Sequence, residues 1–540
     1  MASISFYGSH NSAYAIENKG KIELILEVER FLNYKNSGIA QYKTAKVEDI
    51  VFLSKLIPKY LVELTGIDKF DTCYALNSDV IHDGRHLLEE NIPAKEYKYS
   101  NHHQSHAAGA FYQSSYKKAL IFSFDGGGND GKFNIYTASR ENSVKLLERV
   151  KNPSLSVDYD LGFPYMVFGH FLNDIRLETL DDGNLVYPGK LMGLASYGEV
   201  DEKWLPHFID FYKSDPQGTT YQEKIDELGI KINVKFDMYN RIEGETGYNI
   251  AATSQKAFES CFLEIAKPHL ERYTNRPVII TGGCGLNIIL NTKLVQEFGR
   301  EVFVGPNPND CGIAAGMLLH ELKPEHQVDL TYKGIPLLDF NNLASYIQNS
   351  TTVFKSFDLD MEVVINDLIK GEIVGVVRGN SEHGPRALGN RSILCDPSFP
   401  EMKKILNEKV KNREWYRPFA PVVRLEDVSK YFEWDTESRW MSFCPQVKNE
   451  WKTKLASIVH IDGTARVQTV TRDQNPWLYD LLTEMDNKKG IGVLLNTSFN
   501  VAGKPILSTV ADAFKIFEES QMDSLLINDY YFKKNYEKKF

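Results

Sequence analysis

The stretch Arg276–Val295, "RPVIITGGCGLNIILNTKLV", reads as a strand, a glycine turn and a helix in direct succession. The next stretch, Glu301–Leu322, "EVFVGPNPNDCGIAAGMLLHEL", repeats the plan, with Asn309 or Asp310 as a natural helix N-cap. Upstream, Lys21–Glu29 ("KIELILEVE") and Lys118–Gly128 ("KALIFSFDGGG") read as strands, and the second runs into a glycine turn with Asp125 at its end. This recurrence predicts an α/β architecture over the first 320 or so residues, with ligand loops at the carboxyl ends of the strands. Residues Lys323–Asn342 ("KPEHQVDLTYKGIPLLDFNN") are mixed, proline-containing and weakly periodic, and mark a boundary between domains at 1–330 and 345–540. Beyond it a second α/β region follows: strand "EIVGVVRGN" (Glu372–Asn380), amphipathic helix "EMKKILNEKVK" (Glu401–Lys411), then strands "IGVLLNTSF" (Ile491–Phe499) and "LLINDYYF" (Leu525–Phe532). The sequence shows no internal repeat and no low-complexity tract.

The bulk figures narrow the class. A chain of 540 residues with 42% hydrophobic and 25% charged residues is ordinary globular material too long for one core. A net charge of −10 argues against a large nucleic-acid footprint. No apolar run approaches the length of a membrane span, and "MASISFYGSHNS" has neither the basic start nor the apolar core of a signal peptide. The six cysteines are scattered, with no C-x-x-C pair, and read as free thiols in a reducing cytoplasm.

Two clusters carry chemistry. In Asn101–Gln113, "NHHQSHAAGAFYQ", His102 and His106 stand one helical turn apart and can share one cation. Gln104 and Ser105 lie between them, so the glutamate of a hydrolytic H-E-x-x-H site is missing. His103 shares a face with His106 as well, which leaves the second ligand open between His102 and His103. The segment Arg378–Arg424 holds ten Lys/Arg and five Asp/Glu, a balance of 10 − 5 = +5 inside an acidic chain. Its cations sit among "EHGPRALGNRSIL" and "KVKNREWYRPFAP", where glycine and proline restrict the backbone. Guanidinium forks there suit phosphate or carboxylate, against the plainer reading of a solvated basic face. Asn496 and Ser498 follow an apolar strand and offer an amide and a hydroxyl to a small acyl group, unless they close an Asx-type turn.

On five motifs in order, the chain resembles the O-carbamoyltransferase family of nodulation-factor, cephamycin and tobramycin biosynthesis. These are "HHQSHAAGAF" (His102–Phe111), "GKLMGLASYG" (Gly189–Gly198), "HGPRALGNRSIL" (His383–Leu394), "VKNREWYRPFAP" (Val410–Pro421) and "LLNTSFN" (Leu494–Asn500). The resemblance implies an actin–hexokinase-type (ASKHA) N-terminal domain followed by a YrdC-like α/β domain. It implies a cytoplasmic enzyme that uses carbamoyl phosphate and ATP to make carbamoyl-adenylate, then carbamoylates an acceptor hydroxyl. It assigns Arg386, Lys411, Arg417 and Arg466 to the phosphates and carbamoyl oxygen, with Asn496 and Ser498 at the carbamoyl or adenylate end. His383 stands where the family often has an aromatic residue, and is read as a stacking group. His102, His106, Asp125 and Asp310 would hold a divalent metal, iron(II) before manganese or magnesium, as a mixed N/O set suggests. The glycine turns at Gly126, Gly127, Gly282 and Gly283, with Asn287, would face the nucleotide; Lys190 is a phosphate contact or a structural ion pair. His10, in "FYGSHNSAYAI", would be the base for the acceptor hydroxyl.

Acceptors compatible with this chemistry are a sugar, an antibiotic-like product or a hydroxymethylated pyrimidine in DNA, the only role expected for a nucleic acid. The competing readings are a tRNA threonylcarbamoyl transferase-like enzyme and a non-catalytic actin-type ATP-binding switch. The switch leaves the C-terminal cations without a purpose.

Overall fold

The computed structural model describes residues 2–38, 47–77, 91–152, 155–175, 184–215, 221–349 and 354–534. Val278–Thr281 is a buried strand, and Gly282 turns it at φ +85°; a Cβ at Gly282 would lie 2.3 Å from the Phe124 carbonyl oxygen, so only glycine fits. Asn287 then caps the helix Ile288–Phe298 by accepting the Leu290 N–H, and left-handed Gly299 ends it. The second repeat differs in detail. Its strand is only Val302–Phe303, and the helix Ile313–Leu322 is entered through a tight turn at Asp310–Gly312. Neither Asn309 nor Asp310 caps it with a side chain, because the Asp310 carboxylate is drawn to Tyr7 and to histidines.

In the N-terminal region β1 (Ala2–Tyr7), β2 (Ala13–Asn18), β3 (Lys21–Glu27), β4 (Phe70–Leu76) and β5 (Ala94–Ser100) form a sheet of order β3-β2-β1-β4-β5. β6 (Lys118–Gly128), β7 (Gly131–Ser139), β8 (Ser143–Arg149), β9 (Val278–Thr281) and β10 (Val302–Phe303) form another, of order β8-β7-β6-β9-β10. The two orders are the same. In each, the first strand pairs antiparallel with the second and parallel with the fourth, which is parallel to the fifth. The fold therefore repeats where the residues do not. After β5 comes the helix His102–Gln113, and after β10 the helix Ile313–Leu322. They cross at glycine: a Cβ on Gly316 would lie 2.2 Å from the Ser105 carbonyl oxygen, and one on Gly109 would lie 3.2 Å from the Gly316 Cα.

β11 (Phe354–Asp358), β12 (Val374–Val377), β13 (Arg391–Cys395), β14 (Ala420–Arg424), β15 (Gln468–Val470), β16 (Val493–Ser498), β17 (Ser524–Ile527) and β18 (Tyr530–Lys534) form a mixed sheet. Its order is β11-β18-β17-β12-β13-β16-β14-β15. The helices Met361–Ile369 and Pro476–Lys489 bury Val364, Leu368, Leu478, Leu481 and Met485 against Val374, Val376, Leu394, Val422 and Leu494. Two readings change here. "LLINDYYF" is a hairpin, not one strand, because Asn528 takes φ +50° and turns the chain between Ile527 and Tyr530. "EMKKILNEKVK" is a short α-turn, Met402–Ile405, that widens into a π-turn, Leu406–Val410, immediately before Lys411.

The chain divides into two compact units, one of residues 1–23 and 36–329, the other of residues 24–35 and 330–540. The excursion 24–35, which takes in the end of β3 and the short helix Val28–Leu32 where the sequence reading extended a strand, thus belongs to the second unit. Among the described residues no helix is long and apolar enough to cross a membrane.

Candidate functional site

In the first unit the ends of repeated elements meet. His102 and His106 come from the start of one crossing helix, Asp310 from the entry to the other, and Asp125 from the end of β6. Their ligand atoms all lie within 4.8 Å of one another, and all four residues are buried. His102 Nε2 is 2.9 Å from Asp125 Oδ2; His106 Nε2 is 3.4 Å from an oxygen of each carboxylate, yet among the described residues it has no hydrogen-bond partner. Burial works against a charge on His102, but Asp125 and Asp310 outweigh it and push the imidazole up to about 9. Burial opposes the charge on Asp125 too, and the histidines still hold it well below the usual carboxylate range. A divalent cation fits this set: it would satisfy the orphaned Nε2 and neutralise two buried carboxylates with N/O donors.

His103 is settled by its bonds. Its Nδ1 lies 2.8 Å from Ser123 Oγ and its Nε2 lies 3.0 Å from the Gly131 carbonyl oxygen, so both nitrogens are taken. Burial depresses it to about 4, and it is a neutral core histidine. The helix start is held by Asn129 and Asp130, which accept the N–H groups of His102, His103 and Gln104. Tyr7, at the end of β1, donates to Asp310 Oδ2 at 2.6 Å, and His10 Nε2 stands 3.4 Å from the same oxygen. Asn11 Oδ1 faces His10 Nδ1 at 3.2 Å.

The glycine turns press on Asp125. A Cβ on Gly283 would sit 3.6 Å from the Asp125 Cβ, and one on Gly162 would lie 2.9 Å from the Asp125 backbone. Gly126 and Gly127 are exposed, with open space where a Cβ would be. Asn287 is engaged within the protein: besides its cap it exchanges amide hydrogen bonds with Gln255, which binds Tyr165 and Glu259. Lys190 is buried in the helix Tyr187–Ala195.

In the second unit the cations converge. Lys411 Nζ donates to the Ser498 carbonyl oxygen at 2.5 Å, to Ser498 Oγ at 3.2 Å and to Asn500 Oδ1. Burial, then Arg413, Arg417 and Lys35, hold its ammonium well below the ordinary lysine range. Burial and Arg417 bring Arg386 down to about 10; burial, then Arg386, Arg413 and Arg417, depress Arg466. Arg413 is fixed by Asn407 and lies 4.4 Å over the Phe419 ring. Against these charges stands Glu414, 3.6 Å from Arg417. Among the described residues Arg386 has no hydrogen bond or carboxylate partner, and Arg466 Nε is buried without one. So many cations with a single facing carboxylate, Glu414, would suit a multiply charged oxyanion. Asn496 donates to the Ala387 carbonyl oxygen and to Gln468, while its buried Oδ1 has no donor. Arg391 is different: it spends its N–H groups on the carbonyls of Arg378, Gly379 and Asn390. His383 is buried and bonded through its backbone to Thr331.

Sequence reasoning did not single out Tyr7, Asn129, Asp130, Asn500, Glu382 or the pair Glu27 and Arg30. Asn500 lies inside a quoted motif, and Asn129 and Asp130 directly follow the glycine turn Gly126–Gly128, so these had a local signal. Glu27 and Arg30 had none.

The sequence profile described as the carbamoyltransferase N-terminus matches residues 10–319, and that of the carbamoyltransferase C-terminus matches residues 365–534. The chain is 31% identical over 455 residues to nodulation protein NolO of Bradyrhizobium diazoefficiens, covering 80% of this chain and 79% of that protein. It is 28% identical over 558 residues to nodulation protein NolNO of Sinorhizobium fredii, covering 97% and 79%. It is 35% identical over 360 residues to the 3'-hydroxymethylcephem-O-carbamoyltransferase of Streptomyces clavuligerus, covering 64% of each.

Proposed function

The chain belongs to the carbamoyltransferase family, and from that premise we propose that it is an ATP-dependent O-carbamoyltransferase working in two steps. In the second unit, of YrdC-like type, water releases phosphate from carbamoyl phosphate to give carbamate, whose oxygen attacks the α-phosphate of ATP to form carbamoyl-adenylate as pyrophosphate leaves. The carbamoyl group then passes to an acceptor hydroxyl in the first unit, whose two sheets of identical order support an actin–hexokinase type.

The observation that carries this reading is the cation cluster of Arg386, Lys411, Arg413, Arg417 and Arg466, where among the described residues Arg386 has no hydrogen bond or carboxylate partner and the Arg466 Nε is buried without one. A carbamoyl group is a sluggish electrophile because its nitrogen donates into the carbonyl, so activation through phosphates must precede transfer. The cluster would bind those phosphates and stabilise charge that develops on them, an effect that contributes several kcal/mol in a dry preorganised pocket. Ser498 is positioned with Lys411, and Asn496 Oδ1 would accept from the carbamoyl NH2.

His102, His106, Asp125 and Asp310 would hold the divalent ion, iron(II) first, which when bound neutralises nucleotide phosphate oxygens. Gly126, Gly127, Gly282, Gly283, Asn287 and Lys190 would face the nucleotide. His10 would accept the acceptor's hydroxyl proton, and its place beside Asp310 supports that role. A relative named for a 3'-hydroxymethylcephem supports a hydroxymethyl or sugar hydroxyl as acceptor, and hydroxymethylated DNA belongs to the same chemical class.

The test supplies labelled carbamoyl phosphate and ATP with a panel of hydroxyl acceptors and follows label by mass spectrometry. Arg386→Ala should abolish carbamoyl-adenylate formation, whereas His10→Ala should spare it and stop transfer. Exchange of pyrophosphate that depends on threonine instead of carbamoyl phosphate would replace this reading with the threonylcarbamoyl one.

A further inference from the structure

The cations of the second unit repel one another, yet Arg386 is held beside Arg417 and Arg466 with no counter-charge of its own. Something other than the cluster must hold the loop that carries it. Glu27 Oε1 accepts the Gly384 N–H at 2.8 Å. Arg30 donates from Nη1 to the Glu382 carbonyl oxygen at 2.5 Å and from Nη2 to the Gly384 carbonyl oxygen at 2.5 Å, with its Nε 3.4 Å from Glu27 Oε2. Both side chains are buried. On the far side of Arg386, the Glu382 carboxylate accepts the N–H groups of Leu388 at 2.7 Å, Asn390 at 2.8 Å and Arg391 at 3.2 Å. The loop is therefore tied at both ends, and Arg386 stands between the ties.

We propose that Glu27 and Arg30 are positioning residues for the reaction: they clamp the 382–384 backbone so that Arg386 is already aimed into the anion site before carbamoyl phosphate binds. Glu27, Arg30, Glu382 and Arg391 carry two negative and two positive charges, so this anchor stiffens the loop without adding to the repulsion of the cluster. A planar guanidinium bridging two carbonyls holds them at a set separation, which a lysine does not reproduce. The same segment delivers Lys35, whose charge is felt at Lys411. The inference rests on the reading of the cation cluster as the carbamoyl-phosphate site.

The experiment uses the full chain and its carbamoyl-phosphate-dependent ATP–pyrophosphate exchange, with binding of carbamoyl phosphate followed by calorimetry. Arg30→Lys and Glu27→Gln should each raise KM for carbamoyl phosphate by about tenfold to a hundredfold, as expected for a misplaced binding group. The exchange rate at saturation should stay within about threefold of wild type, the pattern of lost preorganised binding. In an Arg386→Ala background, Arg30→Lys should weaken carbamoyl phosphate binding no further. An unchanged KM, a loss confined to thermal stability and active fraction, or a loss that adds fully to that of Arg386→Ala would overturn the clamp. A wild-type chain without the exchange would instead sink the proposed function, and the same calorimetric cycle with inorganic phosphate would then decide the clamp by the same criteria.

Discussion

Three consecutive polar residues in "NHHQSH" include two histidines that differ in everything except type. His102 reaches Asp125 and belongs to the proposed metal cluster, whereas His103 spends both nitrogens on Ser123 and the Gly131 carbonyl. Replacing His103 by Ala should therefore cost about 1–3 kcal/mol of stability, the penalty for stranding buried polar partners. It should leave metal stoichiometry intact by elemental analysis, whereas His106→Ala should remove the metal. Tyr7 offers a finer test, because its hydroxyl touches Asp310 and none of the other cluster residues by hydrogen bond. Tyr7→Phe should weaken metal affinity about 10–100-fold, the usual effect of losing a partner behind a ligand, read by competition with a chelator.

At the scale of elements, close approach and charge matter more than identity. The crossing of His102–Gln113 with Ile313–Leu322 has no room for a Cβ on Gly316, so Gly316→Ala must separate the helix that carries His102 and His106 from the one entered through Asp310. We expect loss of both thermal stability and metal. Gly189, exposed in the helix Tyr187–Ala195, meets nothing, and Gly189→Ala should raise stability by about 0.5–1 kcal/mol. The cation cluster has the opposite economy. Folding lowers the proton affinity of Arg466, through burial and then through Arg386, Arg413 and Arg417, so its charged form costs stability throughout the neutral range. That cost would ease only as pH rose through the lowered pKa. Arg466→Met should accordingly raise the Tm of the ligand-free chain, with each kcal/mol gained appearing as about 2–4 °C. Carbamoyl phosphate should raise the Tm of the wild type and leave that of this variant unchanged, as scanning calorimetry would show.

Across the whole molecule, residues 24–35 belong to a compact unit whose remaining residues are 330–540. A chain starting at residue 330 keeps every C-terminal motif and lacks the clamp on Gly384. Its affinity for carbamoyl phosphate should fall well below that of the same chain with residues 24–35 joined through a linker; equal affinities would deny the excursion any part in the site.

Read alone, the residues determine the α/β class, because strand, glycine turn and helix follow one another with local signals such as Asn287 and Gly282. They also locate both chemical clusters: histidines one helical turn apart and arginines fixed among glycine and proline are visible within a few residues of one another. Local signals end there. That His102 and not His103 joins the cluster depends on the bonds that Ser123 and Gly131 offer His103, although His103 Nε2 also comes within 3.6 Å of Asp125, and those partners lie on strands that follow the helix. The repeated sheet order is invisible in the sequence because it lies in backbone pairing, which many side chains permit. Glu27 and Arg30 join Gly384 only after the chain has closed a loop of more than 350 residues, and no spacing rule reaches so far. Chemistry was thus written in short stretches, while its aim was set by long-range packing, since direction and partner exist only once distant backbones have come within hydrogen-bonding distance.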